Sequence, residues 1–188
     1  MELEQKVKAR SYKQMLLVSM ISMTMMFAGL TSAYVVSTKR EDWVNFEIPQ
    51  AFYISTLLIL LGSLTFFLAK KALSHDLHSK TTLWLSVTLA LGFGFVFFQL
   101  EGFAQLIDSG LYFTGEKSNI ATSFLYVITM AHMVHMFAGL IVLIVILWKH
   151  QQKKYSSSNK LGLELGLIFW HFLDLLWLYL FLFFVFIN

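Results

Sequence analysis

The sequence predicts an all-α fold, an integral membrane bundle of five transmembrane helices. Three observations carry that prediction. Hydrophobic residues make up 57% of the 188 and charged residues only 13%, against about 25% charge in an average soluble domain. Five stretches poor in charge recur along the chain, each long enough to cross a bilayer. Lys and Arg then fall almost entirely on alternate loops, as membrane insertion requires.

The five stretches are Gln14–Val36, Gln50–Ala69, Leu83–Ile107, Ile120–Trp148 and Leu163–Ile187, of 23, 20, 25, 29 and 25 residues. A helix needs about 20 apolar residues to span the roughly 30 Å hydrocarbon layer. Backbone groups in lipid must bond within their own segment, so each stretch is read as a helix, and residues 1–188 as one membrane domain. The first stretch is far longer than the roughly 7–15 residue core of a signal peptide, and it is read as retained although Thr31-Ser32-Ala33 resembles a cut site. Its methionines, Met15, Met20, Met23, Met25 and Met26, suit adaptable packing. Gly29 and Ala33 have the spacing of close helix contacts.

Eleven basic residues lie on one side: Lys6, Lys8, Arg10 and Lys13 in the tail, Lys70, Lys71 and Lys80 in the second loop, and Lys149, Lys153, Lys154 and Lys160 in the fourth. Lys39, Arg40 and Lys117 are the three on the other. The positive-inside rule therefore expects a cytoplasmic N-terminus and a periplasmic C-terminus. The net charge of +3 follows this placement and does not point to nucleic acid. His75, His78 and His150 stand in the basic loops and read as solvated. The absence of cysteine excludes disulfides, thiolate metal sites and haem attached through Cys.

Ionisable side chains at membrane depth mark partnered or functional positions. Six qualify: Glu101, His132, His135, Glu164, His171 and Asp174. His132 and His135, three apart, share a helix face, with Gly139 between them in angle about one turn on. On the fifth helix Glu164 and His171 are nearly in register, and Asp174 is one turn further, where it can pair with His171. Two readings stay open: a polar seam that joins helices or holds a lipid headgroup, and a copper or haem site that recruits the histidines with Met130, Met133 and Met136. Glu101, two turns from the outer end of the third helix, either reaches the interface or is buried. A small transporter is a weaker reading, because neither repeated halves nor broken helices are visible. No exposed nucleophile–base pair suggests a hydrolase.

At this point the residues resemble a known family. Trp170-His171-Phe172-Leu173-Asp174-Leu175-Leu176-Trp177-Leu178 closely resembles the last-helix signature W-H-F-x-D-x-x-W-L of subunit III of the haem–copper oxidases. Glu164 falls where that family carries a glutamate. Thr129, His132, His135 and Gly139 fit its T-x-x-H-x-x-H-x-x-x-G, and Gln99 after Leu91-Gly92 is similar to its helix-four glutamine. Phe27-Ala28-Gly29 with Ala33-Tyr34 resembles a further element, so the likeness runs from about Met15 to Phe184. The chain resembles the short form, which lacks the first two of seven helices. It departs from many members where Met23, not glutamate, follows Ser22, so a proton-related role of that glutamate does not carry over. Nor does Glu101 stand three residues after Gln99, where some members have an acid.

The resemblance implies a non-catalytic subunit of a terminal oxidase in a bacterial inner membrane. It implies that haem and copper reside in partner subunits and that this chain binds none. It also implies packing beside subunit I, with subunit II and other oxidase subunits in the same complex. Bound phospholipid and support of proton uptake and turnover complete the expectation. His132, His135, Glu164, His171 and Asp174, with Gln99 and Glu101, would supply the polar seam fixing the fourth and fifth helices together. Gly139, Trp170 and Trp177 would supply motif packing. Cytochrome c and quinol both remain open as electron donors, as do a nitric oxide reductase-associated relative and membership of a larger respiratory supercomplex.

Overall fold

The computed structural model describes residues 2–41, 43–115, 118–156 and 160–187. Its helices are α1 (Glu2–Ser37), α2 (Gln50–Ser74), α3 (His78–Asp108), α4 (Ile120–Gln151) and α5 (Leu161–Ile187), and no strand lies among the described residues. All five are long and apolar enough to cross a membrane.

The helices overrun the apolar stretches at their basic ends. α1 takes in most of the N-terminal tail, α4 runs on through Gln151, and only residues 75–77 separate α2 from α3. An apolar run measures the part of a helix inside hydrocarbon. The flanking Lys, Ala and Leu residues are themselves good helix formers and let the backbone continue into the aqueous layer. The tight α2–α3 turn places Asp76 at φ 52, a left-handed conformation that Asp tolerates better than most residues. At the other end Pro49, with φ −55, leads into α2. Asn119 caps α4, its Oδ1 accepting from Ala121 N at 2.9 Å while its Nδ2 donates to Val44 O at 2.7 Å.

α2, α3, α4 and α5 close a ring in which each packs against two neighbours, α2 and α3 along the longest contact. α1 stays outside the ring and touches α4 and α5 only. It docks by its C-terminal half, through Phe27, Thr31 and Tyr34, while Met15, Val18, Ile21 and Met25 stay exposed. Outward faces of the other helices are equally apolar, with Leu57, Phe67, Phe97, Val134 and Leu175 all exposed. A water-soluble monomer rarely shows so continuous an apolar surface; hydrocarbon is the solvent that matches it.

One expectation for the loops is corrected. His150 is 2% exposed, not solvated: its Nε2 bonds to His78 O at 3.1 Å and its ring stacks on that of His78 at 5.5 Å. The α4 extension brings it against the start of α3. Five residues on, Tyr155 is buried against Gly162, and burial raises its phenol pKa.

Candidate functional site

The W-H-F-x-D-x-x-W run of α5 distributes its residues by helical angle. Trp170, Leu173, Asp174 and Trp177 turn inward, and His171 sits at the rim. Trp170 lies in a cradle of glycines from three helices. A Cβ at Gly62 of α2 or Gly139 of α4 would stand 3.8 Å from its ring, and one at Gly92 of α3 would stand 2.8 Å from it. Any side chain at Gly92 would also meet Leu140 at 2.7 Å. Glycine at these crossings lets α5 enter the ring.

Trp177 works one layer further out. Its Nε1 donates to Thr56 Oγ1 of α2 at 3.0 Å, and its ring lies 6.0 Å from Phe52, 5.3 Å from Phe95 and 5.2 Å from His132. Beside it, Gln99 is fully buried and donates through Nε2 to Ser55 Oγ at 2.9 Å. The central layer is therefore aromatic with polar joints, each joint linking α2 to another helix.

The structure places the five seam residues in separate settings, not along one α4–α5 line. His132 is fully buried among Phe27, Phe95 and Trp177, and neither ring nitrogen has a hydrogen bond among the described residues. His135 bonds its own helix, Nδ1 to Ala131 O at 2.7 Å, and meets the edge of Phe27. Glu164 pairs with Lys13 of α1 at 3.8 Å and with Lys160 at 4.0 Å. His171 hydrogen-bonds Ser63 of α2 through Nδ1 and lies 3.9 Å from Asp174 Oδ2. Only the His171–Asp174 pair is brought together as the spacing suggested. α2 supplies the hydroxyl partners Ser55, Thr56 and Ser63, which bond Gln99, Trp177 and His171.

Gly139 does admit α5, since a Cβ there would come 2.8 Å from Leu173 Cδ1. Glu101 lies exposed on α3, with no hydrogen bond or ion pair among the described residues. Of the methionines near the histidines, Met133 and Met136 are buried core and Met130 points outward. No group of three His, Cys, Asp or Glu among the described residues is placed to hold a metal ion. Sequence reasoning passed over Ser55, Thr56 and Ser63. Their signal was available: hydroxyls recurring about seven residues apart on one apolar helix.

Chemically, this arrangement joins helices and leaves the His171 ring partly open to the surroundings. A family model described as "Cytochrome c oxidase subunit III" matches residues 5–188. The chain is 28% identical to cytochrome c oxidase subunit 3 of Thermostichus vulcanus over 174 residues, covering 88% of this chain and 82% of that one. It is 26% identical to cytochrome c oxidase subunit 3 of Bacillus sp. (strain PS3), covering 84% and 77%. It is also 29% identical to cytochrome bo(3) ubiquinol oxidase subunit 3 of Pseudomonas aeruginosa, covering 72% of this chain and 63% of that protein.

Proposed function

This chain belongs to the cytochrome c oxidase subunit III family, and from that premise we propose that it is a non-catalytic scaffold of a bacterial haem–copper terminal oxidase. It is a multi-pass membrane protein. In the proposed assembly subunit I is its main contact, subunit II and other oxidase subunits share the complex, and haem and copper reside in those partners. Its role is to keep the complex assembled, retain phospholipid and sustain proton uptake by subunit I. The N-terminus faces the cytoplasm, a reading supported by eleven Lys and Arg on that side against three on the other.

The observation that carries the reading is where the motif residues spend their polar and aromatic groups. Trp170 fills the glycine cradle of three helices, and Trp177 and His171 each bond a hydroxyl of α2. These contacts rigidify a bundle. Replacing His171→Leu or Asp174→Leu is expected to weaken assembly or lipid retention and to leave the haem spectra of the complex intact. Normal assembly and lipid content in both variants, or stoichiometric haem or copper on the isolated chain, would overturn the proposal.

A quinol oxidase is the second reading, favoured by the likeness to ubiquinol oxidase subunits. Oxygen consumption by the purified complex, fed with reduced cytochrome c or with a quinol, separates the two.

A further inference from the structure

Gln99 and Thr129 occupy the same level of the α3–α4 contact. Each lies nine residues inside its helix, counted from Asp108 and from Ile120, the two ends that the α3–α4 loop joins. At 1.5 Å per residue both sit about 14 Å deep. Ring contacts above and below fix the register: Phe103 stacks on Tyr126 at 5.2 Å, and Phe95 meets His132 at 6.0 Å. Gln99 is one turn from Phe95 and one from Phe103, and Thr129 is midway between Tyr126 and His132. The two residues therefore stand opposite one another.

Both are 0% exposed, and each has a polar atom without a hydrogen bond among the described residues, Gln99 Oε1 and Thr129 Oγ1. The orientation of the amide is fixed by its other end. Ser55 Oγ donates its only hydrogen to Phe52 O at 2.9 Å, so it must accept from Gln99 Nε2, which lies 2.9 Å away. Oε1 is then an acceptor with nothing donating to it. Thr129 differs from other buried threonines of the chain. Thr31, Thr56, Thr81 and Thr88 each bond the carbonyl one turn back, and Thr129 makes no such bond. Its hydroxyl hydrogen is uncommitted.

We propose that Gln99 and Thr129 bind one buried water molecule between α3 and α4, which accepts from the Thr129 hydroxyl and donates to Gln99 Oε1. A donor and an acceptor that face each other without bonding directly are the setting in which a water bridges. Two partners are the fewest that hold a buried water. Two neutral oxygens are too few for Ca²⁺ or Mg²⁺, which take about six or more oxygen ligands. His132 is not required, because its ring is faced by Phe27, Phe95 and Trp177. With the water in place, donors run one way from Thr129 of α4 through Gln99 of α3 to Ser55 and Phe52 O of α2. Thr56, which accepts from Trp177 of α5, ends on the same Phe52 O at 2.7 Å. One carbonyl of α2 thus gathers polar joints from all four helices of the ring.

The test uses the complex purified through a tag on this chain, imaged at a resolution that shows ordered water. A single peak within about 2.7–3.2 Å of both Gln99 Oε1 and Thr129 Oγ1 is expected. It should vanish in Thr129→Val and persist in Thr129→Ser and His132→Phe. A direct Thr129–Gln99 bond with no peak, a peak that survives Thr129→Val, or one lost in His132→Phe overturns the proposal. Melting temperatures give a second readout that needs no image. The drop in Gln99→Met with Thr129→Val should be smaller than the sum of the two single drops, because either change alone dismantles the bridge. Drops that simply add overturn it.

Discussion

Trp177 of α5 donates its indole N–H to Thr56 Oγ1 of α2 at 3.0 Å, and both residues are buried. Thr56 Oγ1 in turn donates to Phe52 O at 2.7 Å, so the bond ends on the α2 backbone. Losing either partner should cost stability. Thr56→Val strands a buried indole N–H, at about 1–3 kcal/mol, whereas Trp177→Phe forfeits one net hydrogen bond of about 1 kcal/mol plus ring volume. Thermal denaturation of the purified complex compares the two, and equal stability of wild type and Thr56→Val would count against the bond.

His132 is the buried histidine that this packing does not need as a polar group. Its ring meets three aromatic rings and makes no hydrogen bond among the described residues. His132→Phe is expected to be neutral or slightly stabilising, within about 1 kcal/mol, since replacing an unpaired buried polar group removes a desolvation cost. His132→Ala should lose about 2–5 kcal/mol by opening a cavity. Loss of the folded complex in His132→Phe alone would mean that a ring nitrogen is engaged.

The glycine cradle makes a graded prediction. A Cβ at Gly139 would press on Leu173 Cδ1, the end of a flexible side chain, whereas one at Gly92 would press on the rigid Trp170 ring as well as Leu140. Gly139→Ala should therefore cost less than Gly92→Ala, with about 1–3 kcal/mol for the overpacked site. The reverse order of melting temperatures would contradict the cradle.

The Lys13–Glu164 pair joins α1 to α5 at the basic end, but the Lys13 side chain is 52% exposed. Lys13→Ala is expected to cost only about 0.2–1 kcal/mol. High salt should erase even that difference. A larger, salt-insensitive loss would show that α1 depends on the pair and not on Phe27, Thr31 and Tyr34.

Orientation can be read directly because the chain has no cysteine. A single Ser74→Cys at the end of α2, beside the α2–α3 turn, should be protected from a membrane-impermeant thiol reagent in intact cells, and Thr114→Cys should be labelled. The opposite pattern would reverse the topology.

The one-dimensional sequence by itself determined the five spans and, through the α5 and α4 motifs, the family. Those properties depend on local composition: apolar length against bilayer thickness, and where lysine stops. It identified His171 and Asp174 as partners because one helical turn separates them. Which residues complete the group was decided only in three dimensions. Ser63 and Thr56 face α5 because of how α2 is rotated and where it crosses, and hydropathy carries no record of rotation. The same holds for His150, drawn out of solvent by the extension of α4 onto α3. It holds too for α1, apolar enough to span the membrane yet left outside the ring, because burial depends on which faces fit together and lipid accepts any apolar face that does not.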